Sequence, residues 1–224
     1  MATALAVADG AELTLAGICS ACADVLSVAG TAIVLTTAED GRGAQYVSNP
    51  AVGALEELQF TLGIGPAVDA YYQGAPIIEA DLADHPPERW ETLVGSALDA
   101  GMGAVFSFPL QIGAARLGAL TLYRDRPGPL DDDRYADAVV MAAVVTQAIL
   151  GIQAGALDGA LTGGLSDGEV ELAEVHQASG IISVQLAIGV GEALVRLRAR
   201  AFADGTTVGL VATEIVARRL HLCQ

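Results

Sequence analysis

The pattern of hydrophobic and polar positions divides the chain into helical and extended stretches. Residues 11–28, AELTLAGICSACADVLSV, place Leu15, Ile18, Cys22, Val25 and Leu26 on one face at helical spacing. The β-rich run Ala32–Thr37, the turn EDGRG and the run Ala44–Ser48 predict a hairpin. AVGALEELQF at 51–60 returns to helical spacing, TLGIGP reads as a loop, and VDAYYQG gives a helical turn or two stopped by Gly74. APIIEADL reads as a strand. Pro86 and Pro87 are expected to open a helix through ERWETLVGSALDAG, ending at Gly101. Two further strands, Ala104–Gln111 and Leu117–Tyr123, flank the turn IGAAR, and a long helix starts near Asp132.

Hairpin-paired strands with helices inserted between them predict an antiparallel sheet and an α+β fold. About five or six strands are expected, with helices on both faces and the first and last of these helices packed together. Beyond residue 168 the pattern is purely helical. One helix is expected to reach about Ala187, with SDGE (Ser166, Glu169) as a capping box. Gly189 and Gly191 break it, a second runs Glu192–Ala203, and a third, capped by Thr206 or Thr207, reaches Leu220. Their apolar positions include Leu172, Val175, Ile182 and Leu186, then Leu194 and Leu197, then Val211, Ala212 and Ile215. Between the two parts, Gly151, Gly155, Gly159 and Gly163 recur every four residues. Two readings stay open: a flexible linker, or a helical ridge bare of side chains that a second helix can approach. Each interior glycine costs a lone helix about 1 kcal/mol relative to alanine, so the ridge needs a partner. The expected organisation is 1–150, a connecting segment 151–167, and 168–224.

Composition changes this picture in three ways. Hydrophobic residues make up 53% of the 224, which excludes global disorder, but aromatics only 4%, so the core is aliphatic. The net charge of −16 argues against a general nucleic-acid binder. That charge is uneven: residues 1–165 hold 6 arginines and 20 acids, whereas 166–224 hold 5 and 7, including Arg196, Arg198 and Arg200. Three cysteines without a disulfide framework, and an N-terminus without a basic region before its apolar run, point to a reducing, cytoplasmic setting. Residues 138–157 approach membrane-span length, but Thr146, Gln147 and Gln153 interrupt them; a buried or dimerising helix is expected.

Candidate chemistry is sparse. Cys19 and Cys22 are spaced C-x-x-C, but with no second ligand pair they are expected to be small core residues, not a metal site. His85, on a loop beside two prolines, is expected at the surface. Trp90 is expected to pack against the sheet, with ligand contact as the other reading. Of Tyr71 and Tyr72, one should be core, and Tyr72 is the candidate pocket residue. Asp131–Asp133 suit a helix N-terminus. No nucleophile–base pair, phosphate loop or dinucleotide fingerprint occurs, so catalysis is not expected.

Two resemblances organise these features. LGIGPAVDAYYQGAPIIEADL, RWETLVGSALDAGMGAVFSFPL and RLGALTLYRDRPGPLDDD, in that order, resemble the GAF domains common in actinobacterial regulators. Gly63, Gly65 and Pro66 match the family's Gly-x-Gly-Pro turn; the position between the glycines, often acidic in relatives, is Ile64. The resemblance implies a sensory fold that holds a small ligand between sheet and helices, or that dimerises. The C-terminal part resembles an ANTAR domain, the output module of transcription antitermination regulators. QASGI (177–181) stands where that family has Ala-Lys-Gly, EALVRLRARA (192–201) matches its arginine-bearing helix, and VATEIV (211–216) its last helix. This implies a homodimer that binds terminator-proximal RNA hairpins, with His176, Ser179, Gly180, Arg196, Arg198 and Arg200 at or near one exposed edge. Ser179 replaces the family's lysine, and with the net charge of −16 this leaves a second reading open: a ligand-sensing or interaction protein whose module no longer binds RNA, its arginines a solvated face pairing with Glu192 and its neighbours. Neither DNA nor membrane is implied as a partner, and no cofactor beyond a small sensor ligand of unknown identity.

Overall fold

The computed structural model describes residues 14–36, 44–86, 89–154 and 167–222, with backbone alone at 167–172. Helix α1 (Leu15–Leu26) starts where the Thr14 hydroxyl accepts the Gly17 N–H, and buries Leu15, Ile18, Cys19, Cys22 and Leu26. Strands β1 (Gly30–Leu35) and β2 (Gln45–Val47) pair antiparallel as expected. The turn EDGRG proposed between them lies outside the described residues. Helix α2 (Pro50–Leu62) begins at Asn49, whose side chain accepts the Val52 N–H, and ends at Gly63, whose φ of 68° suits glycine. It runs two residues into the stretch read as loop.

Helix α3 (Pro66–Gln73) and the short strand β3 (Ile77–Glu79) follow. Helix α4 (Glu91–Asp99) starts later than its sequence suggests. Trp90 precedes it in the left-handed region, at φ 55°, so no continuous helix runs from Pro86. Trp90 is 4% exposed, and this backbone accompanies the burial of its side chain. The hairpin β4 (Ala104–Ile112) and β5 (Ala115–Arg124) forms the middle of the sheet, and helix α5 (Asp132–Gln153) closes this half of the chain.

The sheet order is β2-β1-β5-β4-β3, every pair antiparallel. Alternation along the strands builds two cores. Ile33, Phe106, Phe108, Leu110, Leu120 and Leu122 face α1 and α5. Ala32, Val105, Ala119 and Tyr123 face the side of α2, α3 and α4. Helix α5 has the length and mean hydropathy of a membrane span, but it buries Ala138, Met141, Val145, Ile149 and Ile152 in the first of these cores. Its terminal residues include Gly151; Gly155, Gly159, Gly163 and Ser166 lie outside the described residues.

Three helices complete the chain: α6 (Asp167–Leu186), α7 (Val190–Ala203) and α8 (Val208–Val216). They share a core of Val175, Ala178, Ile182, Leu194, Leu197, Val211, Ala212 and Ile215. The Ser183 hydroxyl donates to the Ile188 carbonyl at 2.6 Å and fixes the α6–α7 turn, while the Thr207 hydroxyl accepts the Leu210 N–H and caps α8. The Thr213 hydroxyl donates to Glu174, tying α8 to α6. Helix α8 stops before Leu220 because Arg218 turns left-handed, at φ 59°, and the Arg219 N–H bonds back to the Glu214 carbonyl.

Candidate functional site

Inside the sheet–helix half, the turn after α2 meets a buried polar chain. Val52, Leu55, Glu56, Gln59 and Phe60 follow helical spacing on α2, so two polar residues occupy positions of an apolar stripe. Glu56 is 3% exposed and Gln59 1%. Tyr123 of β5 resolves this: its hydroxyl donates to Glu56 Oε1 at 2.9 Å and accepts from Gln59 Nε2 at 3.0 Å. Gln59 Oε1 in turn accepts the Ala67 N–H of α3 at 3.0 Å. Burial, and then the neighbouring Glu56 carboxylate, raise the Tyr123 phenol well above its ordinary range. Gly65 explains the glycine of the turn: at φ 143°, a Cβ there would fall 2.2 Å from Gln59 Oε1. The chain Glu56–Tyr123–Gln59–Ala67 thus ties α2, β5 and α3 into one hydrogen-bonded unit.

Beside it lies a small void of about 10 Å³, bordered by Pro66, Trp90, Leu93, Val105 and Tyr123. A space of that size admits about one water, and an organic ligand needs on the order of 300 Å³ or more. Ligand entry here therefore requires Trp90 or α4 to move.

A ring of polar contacts holds Trp90 in place. The His85 ring stacks on the indole, with centroids 5.0 Å apart and planes 5° from parallel. The Arg89 guanidinium lies 3.9 Å from the centre of the indole and pairs with Asp69 at 2.5 Å. His85 Nδ1 meets Glu79 at 2.6 Å and Nε2 meets the Arg89 carbonyl at 2.7 Å. The expectation of a surface histidine is therefore corrected: the His85 side chain is 1% exposed. Loop position alone misled, because the stacking partner follows five residues later.

The other sequence candidates of this half separate. Trp90 packs in the α2–α4 core and borders the void. Tyr72 does not line it: the residue is 64% exposed, with its backbone carbonyl accepting from Arg116 at 2.6 Å. Tyr71 is half-buried and meets Tyr72 edge-on, so neither tyrosine is core. Cys19 and Cys22 are fully buried, as their spacing on an apolar helix suggested. Burial pushes their thiols up to about 11 and about 12, and Cys19 Sγ sits 3.3 Å from Thr31 Oγ1. Asp131 caps α5 through the Arg134 N–H.

In the three-helix part, the expected single exposed edge does not form. Ser179 is 1% exposed, and its hydroxyl is sealed without a hydrogen-bond partner. It shares the buried face of Val175, Ala178 and Ile182, at i, i+3, i+4 and i+7. A lysine there would place an ammonium against an apolar core. His176 is half-buried, and Gly180 is partly open, with no atom within 4 Å of where its Cβ would stand. Arg196 pairs with Glu192 at 3.0 Å and Arg200 with Asp204 at 2.6 Å, both at i, i+4 and both about two-fifths exposed. Arg198 turns the other way, its guanidinium 4.6 Å from the centre of the Phe60 ring on α2.

The sequence of the first half decides its family. Residues 12–150, which form the five-stranded antiparallel sheet with α1 and α5 on one face, match the family model of the GAF domain. The chain belongs to the GAF domain family. The GAF domain of a phosphoenolpyruvate-protein phosphotransferase from Coxiella burnetii shares this fold at 15% identity. The match covers 70% of this chain and 94% of that one, with a TM-score of 0.53. The N-acylhomoserine lactone dependent LuxR family factor CepR2 from Burkholderia cenocepacia is similar at 23% identity over 66% of this chain and 88% of that one, with a TM-score of 0.47. No curated protein matches the sequence. The GAF profile ends before α6, so α6–α8 lie outside it.

Proposed function

We propose that this GAF protein is a cytoplasmic, non-enzymatic regulator whose sensor domain controls an ANTAR-type module binding hairpins in nascent RNA. One observation carries the reading. The three stretches with ANTAR resemblance fall on three consecutive helices, and their apolar positions pack into one shared core. QASGI lies on α6, EALVRLRARA on α7 and VATEIV on α8. Among the candidate contacts, Arg196 and Arg200 remain accessible, and their pairs with Glu192 and Asp204 are exposed enough for phosphate to displace. Ser179 drops out of the contact set, because it is buried.

The assembly proposed is a homodimer through α1 and α5. Its support is the apolar surface that α5 turns away from the sheet, where Val139 is 44% and Val140 49% exposed. Light scattering at tens of micromolar should give twice the chain mass; a monomer removes this part of the proposal.

A second reading has its own support: every arginine of α7 already has a partner within the chain, which suits an interaction module that binds no RNA. Fluorescence anisotropy with terminator-like hairpins at low salt separates the two. Binding that weakens steeply with salt supports the RNA regulator. Absence of binding to any hairpin at low salt favours the interaction module.

A further inference from the structure

We infer that the face of α7 carrying Arg198 is docked on the sensor's α2, and that this dock holds Arg198 back from RNA and so weakens hairpin binding. The inference rests on the RNA reading above. Phe60 is the first ground for it. This residue of α2 is only 7% exposed, yet it belongs to neither core of the sensor; it is buried among the apolar side chains of the three-helix part. A sensor standing alone would leave that ring in water.

Arg198 is the second. Its guanidinium covers the Phe60 ring at 4.6 Å, and its Nε is closed off from solvent. A Cβ on Gly63 would lie 3.3 Å from Arg198 Nη1. Gly63 is the C-cap of α2, so the cation rests at the helix end where partial negative charge gathers. Arg198 is also the arginine that matches the ANTAR pattern. In the docked arrangement its guanidinium serves the sensor contact, with Nε turned away from solvent and from any phosphate there.

Position supplies the third. Phe60 directly follows Gln59, the member of the buried polar chain that bonds both Tyr123 and the Ala67 N–H. Tyr123 and Pro66 also border the void beneath Trp90. A ligand that enlarges that void would lie against Tyr123, which is bonded to the residue next to the dock. Sensor occupancy and dock geometry therefore share one helix end.

The test uses the full chain, the Phe60→Ser variant and the Arg198→Gln variant. Circular dichroism establishes that each is folded, small-angle X-ray scattering reports the dock, and anisotropy with a terminator-like hairpin reports RNA binding. Both variants should expand in scattering, and Phe60→Ser should bind the hairpin on the order of tenfold more tightly than the parent chain. Scattering that shows the parent already as expanded as the variants overturns the dock. Expansion of Phe60→Ser with hairpin affinity equal to a binding parent overturns the inhibition while the RNA reading stands. Expansion with no hairpin bound by either form overturns the RNA reading, and the inhibition with it, while the dock remains measured.

Discussion

The two halves of this chain are held by different physics. The GAF half is joined by strands far apart in sequence: β1 pairs with β5, some ninety residues on, and Glu56 and Gln59 depend on Tyr123 for satisfaction. Its polar groups are sealed, and altering one leaves others without partners. The three-helix half is built from neighbours in sequence, with an Ala, Val and Leu core and ion pairs one helical turn apart at the surface. Its charges are cheap to rearrange. A sensor benefits from the first arrangement, in which displacement of one group is felt by others, and a surface that exchanges partners from the second.

The sharpest way to break this comparison is to delete core volume in each half. Phe106→Ala removes a fully buried ring from the centre of the sheet and should cost about 3–5 kcal/mol. Leu197→Ala should cost about 2–5 kcal/mol in the bundle. Calorimetry should find each loss mainly in one of two transitions; a single transition shifted alike by both variants would merge the halves into one cooperative unit.

Alkaline pH tests the sealed half next. The folded state holds the protons of Cys19 and Cys22 more tightly than the ordinary 9.0, up to about 11 and about 12. Their contribution is fully present below pH 9 and is lost as pH rises from 9 through 11 and 12. The loss is on the order of 2–4 kcal/mol per thiol. Urea melts from pH 8 to 11 should show falling stability, and Cys22→Ala should flatten the fall. Alkylation mapped by mass spectrometry should leave both thiols unmodified in the native chain at pH 8.

Tyr123→Phe is subtler. It keeps the ring and removes the hydroxyl between Glu56 and Gln59, for an expected loss of about 1–3 kcal/mol. A neutral result from chemical denaturation would mean that the chain tolerates two more unsatisfied groups than its burial suggests. At the small end, Arg196→Ala and Arg200→Ala should each change stability by less than about 0.5 kcal/mol. Under the RNA reading, each should also lower the salt slope of hairpin binding by about one contact. A large stability loss from either would move the bundle's charges into the same class as the sensor's.

How much of this was legible follows from the range of the interactions. Spacing of apolar residues located α1, α2, α5 and α7 to within a few residues, and the order of elements implied the antiparallel sheet. The glycine–proline turn and the buried cysteines were also readable, because both are local: one from backbone conformation, the other from a helical face. The polar chain also leaves a signal in the sequence, since Glu56 and Gln59 stand at apolar positions of α2, but it does not name their partner. The start of α4 was misplaced because two prolines favour a helix opening, while the buried Trp90 stands left-handed after them.

Periodicity along one chain therefore determined which residues form each element and which face of it is apolar. It could not determine what covers that face. Ser179 and Arg198 look equally polar in sequence, yet one is sealed among apolar helices and the other is laid across a phenylalanine more than a hundred residues earlier. His85 reads as loop surface until Trp90 folds under it. In each case the deciding partner is outside the element that carries the residue, and only the tertiary structure brings the two within van der Waals reach.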